Sequence, residues 1–316
     1  MDQQGLSSRA IIGRFYQTLE AVLGASWVSR ISMLFQSDQE SETYKWLGMS
    51  PALREWIGGR NAKGLRENGI TIDNKKYEAT LEIDVDDLRR DKTGQILTRV
   101  DELADRVNEH WAKLLSTLLI SAETAVCYDG EYFFDGDHSE GDSGSQSNDL
   151  SVDISELPVE KHGSTTVPSV EEMELAILQA VQAIYGFKDD QGEPMNAMAK
   201  EFLLMVPVPF LSIALAACKN PVLTSGKTNT IANNQAEFNI IPVANPRLTW
   251  TTKLALFRTD GRAKPLIRQE EQEMEVTAIA EGSEEEFKHN RHLYGVKTLR
   301  NVGFGYWQHS CLVTLA

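Results

Sequence analysis

The sequence has few residues of the kinds that bind metal ions or form disulfides. Its 316 residues include only three cysteines and six histidines. Cys127, Cys218 and Cys311 are far apart, odd in number and outside any CxxC spacing. This pattern argues against a disulfide framework or a zinc cluster, and it is typical of free thiols in a reducing compartment.

The chain also lacks a long uninterrupted apolar segment. The longest candidate, Phe202 to Cys218, spans 17 residues but contains Pro207 and Pro209. It is too short and too broken for a membrane span, so it predicts a buried strand followed by a helix. The first ten residues, MDQQGLSSRA, are polar and predict no signal peptide. We therefore expect no membrane partner.

Positive charge is scarce relative to negative charge. The chain has 31 Lys plus Arg against 46 Asp plus Glu, a formal net charge of −15. Such a chain repels the phosphate backbone of bulk nucleic acid, which argues against a role in coating duplex DNA. Hydrophobic residues make up 41% and charged residues 24%, which is typical of a globular protein and excludes a fibrous one.

Two short motifs resemble catalytic loops but lack the context that the chemistry needs. Ser225-Gly-Lys-Thr228 resembles the end of a phosphate-binding P-loop, but Pro221 occupies the position of the first glycine. Gly141-Asp-Ser-Gly144 resembles the nucleophile turn of trypsin-like proteases, but it lies in an acidic loop without a surrounding β-barrel pattern. The sequence therefore predicts no enzyme.

One cluster has donor atoms for a divalent cation. Asp135, Asp137 and His138 supply oxygen or nitrogen ligands within four residues. The ligand set is incomplete, and a solvated acidic turn is the commoner structure for such a segment. His289 and His292 lack a fixed acidic partner, and we expect both to be exposed. We predict no metal and no cofactor, with a metal-dependent hydrolase built on the first cluster as an alternative.

Residues 51–93 have the pattern of a long, unevenly charged ribbon. From Lys75 to Val85, apolar residues alternate with charged or polar ones, as in a half-exposed strand. Together with the segment from Trp56 to Arg60, this strand predicts a two-stranded excursion. Arg54 to Lys76 holds six basic and three acidic residues, whereas Tyr77 to Asp91 holds six acidic and two basic ones. A ribbon of two strands is marginally stable alone, so this one should lie on another surface.

Two helices are predicted with clear boundaries. In residues 94–120, apolar side chains recur every three or four positions, over a length suited to a scaffold element. In residues 169–187, Ser169 and Glu172 form a capping-box pattern before an apolar face. Helices and strands occur in mixed order without a repeated strand–helix unit, which predicts an α+β fold. Further strands are expected at residues 202–208, 238–243, 248–257 and 311–315.

Several predicted elements present exposed surface that could bind another subunit and that a monomer would not need. Besides the ribbon and the long helix, residues 1–50 predict a short helix followed by an extended arm. No Lys or Arg occurs between Leu114 and Glu160, and turn-forming residues there predict a long acidic surface loop. Together these features indicate self-assembly, with the basic tip of the ribbon on the acidic face of a neighbour.

Five groups of segments occur in the order of one known family. They are Tyr44–Pro51 with Arg54–Arg60, Asn74–Glu78 with Val85–Asp91, Asp129–His138 with Gln146–Asn148, Leu203–Pro207, and Tyr294–Val296 with Gly303–Gln308. On these segments the chain resembles the Mu-like prophage major head (capsid) subunit. The resemblance implies the Hong Kong 97-type fold of tailed-phage capsid proteins.

By this resemblance the chain divides into five parts. They are an N-terminal arm (1–50), an extended loop (51–93), a peripheral domain with the spine helix and acidic loop (94–164), an axial domain (165–250), and return strands that complete the central sheet and peripheral domain (251–316). The side chains expected to contact neighbouring subunits lie on the extended loop. They are Trp56, Arg60, Lys63 and Arg66.

The function implied by the resemblance is mechanical. Many copies would assemble as hexamers and pentamers into an icosahedral head that encloses double-stranded DNA without sequence-specific binding. The implied partners are a scaffold, a maturation protease, a portal and, in some shells, decoration proteins. Assembly would take place in the cytoplasm of a bacterial host, and the product would be a virion. An encapsulin-like nanocompartment, with the same shell physics and a protein cargo, is a second alternative.

Overall fold

The computed structural model describes residues 7–21, 25–45, 69–91, 94–223 and 225–316, which form two larger sheets, a short ribbon and surrounding helices. The four-stranded sheet has the order β1 (Ser32–Gln36), β9 (Leu266–Ile279), β10 (Arg291–Phe304) and β4 (Lys75–Asp84). The five-stranded sheet has the order β5 (Asp149–Val152), β11 (Ser310–Leu315), β8 (Lys253–Arg258), β6 (Glu201–Val206) and β7 (Asn239–Ala244). The ribbon pairs β2 (Ser41–Tyr44) with β3 (Ile70–Asp73).

Nine α-helices accompany the strands in these described ranges. They are α1 (Ser8–Ala21), α2 (Val28–Ile31), α3 (Val85–Arg90), α4 (Gln95–Asn108), α5 (His110–Ile120), α6 (Val170–Gly186), α7 (Leu211–Lys219), α8 (Thr230–Asn233) and α9 (Glu284–His289). Among these helices, none is both long and apolar enough to span a bilayer. The predicted α+β fold is confirmed.

The five-stranded sheet and two helices form the main hydrophobic core. β6 lies between β7 and β8, and every residue from Phe202 to Val206 is fully buried. α6 packs against α7, β8 and β11. The predicted capping box begins α6: the Ser169 Oγ accepts the Glu172 N–H, and the Glu172 carboxylate accepts the Ser169 N–H. The local start signal and the apolar face of this helix therefore agree with its position in the core.

The four-stranded sheet is built on a long hairpin. β9 and β10 have 14 residues each and run antiparallel, while β1 pairs in parallel with the base of β9. α1 and α4 lie together on one face of this sheet, where Ile11, Phe15 and Val100 are buried. The Arg14 guanidinium pairs with the Asp101 carboxylate at 2.7 Å and joins the two helices.

The strand predicted at residues 75–85 lies in a sheet and not in a free two-stranded ribbon. β4 pairs along its whole length with β10, and its predicted partner, the segment from Trp56 to Arg60, lies outside the described residues. The predicted alternation itself is confirmed, since Ile83 is buried and Leu81 half-buried while Glu82 and Asp84 are exposed. Val85 instead begins α3, which Asp84 caps. In the four-stranded sheet α4 covers the apolar face of β4, which a free ribbon would leave exposed to water.

The long helix predicted at residues 94–120 is interrupted at Glu109. α4 packs on the four-stranded sheet and α1, whereas α5 contributes to the main core. In α5 the buried leucines are Leu115 and Leu119, whereas Leu114 and Leu118, which the helical spacing places on the predicted apolar face, are only half-buried. The buried face therefore shifts by one residue after the break, because each half packs on a different surface.

Candidate functional site

The residues predicted to contact neighbouring subunits, Trp56, Arg60, Lys63 and Arg66, lie in residues 46–68, outside the described residues. The structure does describe the two strands on either side of that segment. β2 and β3 pair in antiparallel register from Ser41 opposite Asp73 to Tyr44 opposite Ile70. The contacts by which this ribbon packs on the rest of the chain can therefore be described.

A buried glutamine anchors the ribbon to the four-stranded sheet. Gln269 of β9 is fully buried, and its Oε1 accepts the Tyr44 hydroxyl at 2.9 Å. Its Nε2 donates to the Ile72 carbonyl at 3.0 Å and to the Asn74 Oδ1 at 2.9 Å. The Asn301 amide donates to the Asp73 carbonyl at 2.6 Å. Because buried polar groups are costly to leave unpaired, this network favours a single position of the ribbon on the sheet.

A close apolar contact lies beside this network. Ile72 of β3 is buried against the backbone of Gly303 on β10. A Cβ added at Gly303 would lie 2.3 Å from the Ile72 Cδ1. The glycine therefore permits the approach of β3 to the sheet, as expected where two elements come closer than a side chain allows.

An aromatic ring joins the α4–α5 break to the sheet. The Arg300 Cζ lies 4.6 Å from the centre of the Trp111 ring, and the Arg268 Cζ lies 5.5 Å from it. The Arg300 Nε donates to the His110 Nδ1 at 3.0 Å. Burial and the Arg300 charge lower the pKa of His110 to about 4, and burial lowers the pKa of Arg300 to about 10. At neutral pH the histidine is thus the neutral acceptor, and the arginines stack as cations.

A cleft of about 490 Å³ opens between α4 and the four-stranded sheet. Its apolar lining includes Leu81, Leu103, Val107, Met274 and Val296. Its exposed charged lining consists of the basic Arg99, Arg106 and Lys113 and the acidic Glu78 and Glu102. The cleft therefore has an apolar floor and a rim with more positive than negative groups.

The far end of the β9–β10 hairpin carries α9 and an exposed aromatic. Ser283 caps α9, and Asn290 closes it in the left-handed conformation at φ 52°. The Asn290 carbonyl accepts the Val85 N–H at 2.9 Å, which ties the hairpin tip to α3. Phe287 is 91% exposed on this ordered tip.

The acidic loop is not the solvated turn that we expected. His138 is fully buried, with its Nδ1 2.6 Å from the Asp129 Oδ2 and its Nε2 3.2 Å from the Asn148 Oδ1. Its ring stacks on Trp307 with centroids 3.9 Å apart. Both ring nitrogens of His138 therefore have polar partners within the protein interior. Asp137 instead accepts the Ser145 hydroxyl at 2.7 Å, and no group of three metal-ligating side chains occurs in the described ranges.

The other sequence motifs also serve local structure. The Ser143 hydroxyl donates to the Gly144 carbonyl and accepts the Glu140 N–H within its own turn. The Ser225 N–H donates to the Glu171 carboxylate at 3.1 Å, which ties that turn to α6. The expectation that His292 is exposed was wrong: it is 2% exposed, 3.6 Å from the Glu286 carboxylate. The folded strand β10 turns this side chain inward while His289 stays exposed on α9.

Comparison with known sequences matches the chain to one family. The family model of the Mu-like prophage major head subunit gpT matches residues 8–157 and 243–314, more than half of the chain. The Mu-like prophage FluMu major head subunit of Haemophilus influenzae is 35% identical over 127 residues, which are 40% of this chain and 41% of that protein. The major capsid protein of Escherichia phage Mu is 35% identical over 113 residues, 36% of this chain and 37% of that protein. The matched segments thus span less than half of each relative.

Comparison with solved structures identifies the fold. The procapsid of bacteriophage JBD30 contains a chain that superposes with a TM-score of 0.56 at 22% identity. The superposition covers 98% of this chain and 77% of that one. The fold is therefore that of phage capsid subunits, in agreement with the resemblance found in the sequence.

Proposed function

Because the chain belongs to the Mu-like prophage major head subunit family, we propose that it is the major capsid protein of a Mu-like phage or prophage. The observation that carries the proposal is the family match over two separate segments, one of which includes α1 to β5 and the other β8 to β11. The family is one of head subunits and not of enzymes. The capsid fold, which superposes over 98% of the chain, supports the same conclusion.

The proposed domains follow the two sheets. The five-stranded sheet with α6 and α7 would be the core of the axial domain, and the four-stranded sheet with α4 would be the core of the peripheral domain. β4 goes with the peripheral domain because it pairs with β10, so the extended loop would start from the β2–β3 ribbon. The return strands from residue 251 would serve both sheets, since β8 and β11 lie in one and β9 and β10 in the other.

The proposed assembly is a closed shell of hexamers and pentamers around double-stranded DNA. The formal net charge of −15 suits a shell that must not bind its cargo tightly. A scaffold, a maturation protease, a portal and decoration proteins are the proposed partners. The proposed site of assembly is the cytoplasm of the bacterial host, and the proposed final location is the virion.

The test of this function is electron microscopy of the purified chain at physiological salt, with light scattering on the same sample. We expect closed shells, tubes, or rings of five or six subunits. A sample that stays monomeric at every concentration, also after coexpression with a scaffold protein, would contradict the proposal. Particles that copurify with an enzyme, and never with DNA-packaging proteins, would instead favour an encapsulin-like compartment.

We also propose that Trp56, Arg60, Lys63 and Arg66 contact a neighbouring subunit, because basic residues cluster there in an otherwise acidic chain. Reversing both charges in Arg60→Glu/Lys63→Glu should lower the yield of shells and leave the melting temperature of the subunit unchanged. The matched control, Arg89→Glu/Arg90→Glu, makes the same charge change at exposed positions of α3. Equal shell yields from the two double variants would refute this contact.

A further inference from the structure

The hairpin tip presents an apolar group that its own chain does not cover in the described ranges. Phe287 is the most exposed of the large apolar side chains described, at 91%. The backbone around it is ordered, since the Glu286 carboxylate accepts the Gly282 N–H at 2.6 Å and Lys288 pairs with Glu284. An aromatic side chain on an already ordered element loses little freedom when a partner buries it, so it is suited to an interface anchor.

We propose that Phe287 of one copy inserts into the cleft between α4 and the four-stranded sheet of a second copy. The inference deepens the proposed capsid function and rests on it, because it names one contact through which subunits would join. The space is sufficient: an apolar cavity of about 150 Å³ holds a benzene ring, and this cleft has about 490 Å³. Its apolar floor provides the surface that a phenyl ring needs.

The charges around the two surfaces are complementary. Three glutamates, Glu284 to Glu286, precede Phe287 in α9, and only two of them have a Lys or Arg partner at the tip: Lys288 pairs with Glu284 and Arg291 with Glu285. The exposed rim of the cleft carries the basic Arg99, Arg106 and Lys113. Glu78 and Glu102 also line the cleft, so the positive excess is small and the attraction would set orientation more than affinity.

The positions of tip and cleft make the contact head-to-tail. The cleft residues of β10 lie at 296–300, five to nine positions from Arg291 at the tip end of the strand. At about 3.3 Å per residue, the tip is roughly 17–30 Å from its own cleft. Two different surfaces of one chain then pair between copies, and such a contact continues from subunit to subunit until it closes into a ring or shell.

Cysteine cross-linking between copies tests this contact directly. The double variant Lys288→Cys/Arg99→Cys keeps Phe287 and places one thiol beside it and one on the rim of the cleft. It should give a ladder of disulfide-linked species on a non-reducing gel, and a mixture of the two single variants should stop at dimers. Background from the natural thiols is low because Cys127, Cys218 and Cys311 are buried. In the control pair, Met198→Cys replaces Lys288→Cys, since Met198 is also exposed, at 83%, and lies outside the tip.

A charge-reversal cycle supplies an independent readout. Arg106→Glu and Glu284→Lys should each lower the cross-linked fraction about two- to fivefold, as for an exposed ion pair, and the combination should restore it. Phe287→Ser should reduce shell yield without lowering the melting temperature, because the side chain is exposed in the subunit. A melting temperature that falls together with shell yield would show that the variant acts through folding and would overturn the contact.

The outcomes separate this contact from the proposed function. Cross-linking no greater than in the Met198→Cys control overturns the contact, whether or not the wild-type chain forms shells. A product from Lys288→Cys alone would show tip-to-tip pairing and also overturn it. Cross-linking at the expected level without any shells from the wild-type chain would keep the contact and count against the capsid function.

Discussion

Gly303→Ala should destabilise the protein, although it removes a glycine from a strand. The added Cβ would lie 2.3 Å from the Cδ1 and 2.7 Å from the Cγ1 of Ile72. Carbon atoms in favourable contact are about 3.5–4.0 Å apart, so the Ile72 side chain must move. Because a β-branched side chain is stiff at its first torsion and Ile72 is buried, the movement should lift β3 away from β10.

The expected change follows from two opposing effects. Overpacking of a buried site costs about 1–3 kcal/mol, whereas alanine in place of glycine in a strand is more favourable by about 0.5–1 kcal/mol. We therefore expect the free energy of unfolding to fall by about 1–2 kcal/mol. The assay is urea unfolding followed by tryptophan fluorescence, since the chain has six tryptophans.

Gly295→Ala is the matched control on the same strand. A Cβ at Gly295 would have its nearest neighbour, the Thr277 Oγ1, at 3.5 Å, which is ordinary contact. This variant should be unchanged or more stable by about 0.5–1 kcal/mol. A loss of stability equal to that of Gly303→Ala would show that glycine flexibility, and not the space beside Ile72, explains both results.

A double-mutant cycle isolates the clash. Ile72→Ala alone should lower the free energy of unfolding by about 2–5 kcal/mol, as for other buried isoleucines. In that background Gly303→Ala should lose its penalty, because the two Ile72 atoms that it meets are gone. The clash explanation fails if Gly303→Ala is equally destabilising with and without the Ile72 side chain.

Three further measurements test other parts of the structure. Ser169→Ala removes the cap of α6 and should lower the free energy of unfolding by about 1 kcal/mol in urea titrations, while an unchanged midpoint would contradict the capping role. Burial and the neighbouring Arg258 hold the pKa of His309 at about 4, below its ordinary 6.5, so the unfolded chain binds the extra proton between these pH values. Stability should therefore be complete above pH 6.5 and decline as the pH falls toward 4. Because the pKa of His110 is lowered in the same way, His309→Gln should make that decline shallower without removing it, and an unchanged slope would refute it. Burial raises the pKa of all three thiols, so a thiol reagent should label none in the native protein and three after unfolding, and rapid native labelling would contradict the buried positions of Cys127, Cys218 and Cys311.

Local sequence patterns determined the elements whose signals lie within a few residues. The capping box placed the start of α6 at the correct residue, and the alternation in residues 75–84 identified the buried and exposed faces of β4. These signals depend on side chains two to four positions apart, which the backbone geometry of helices and strands places on one face. The short motifs also sufficed to identify the family.

The long hairpin of β9 and β10 was not predicted, although a signal for it exists. The segment from residue 270 to 286 holds eight glutamates, and we predicted no strand in it. In the structure, Met274 and Val276 alternate with Glu273 and Glu275 and pack on the cluster beneath α1 and α4. The many glutamates obscured the alternation of apolar and polar residues that is typical of a strand. The choice of partner strands depends on packing across the whole domain.

The tertiary structure alone decided which polar groups are buried. The sequence of the acidic loop is equally compatible with a solvated turn and with a His138–Asp129 pair inside the core. The outcome depends on Trp307 and Asn148, which the fold brings beside the histidine. The same holds for Gln269, whose partners come from the distant β2–β3 ribbon. A polar side chain is stable in a core only where its hydrogen-bond partners are already in place, and distant parts of the chain supply those partners.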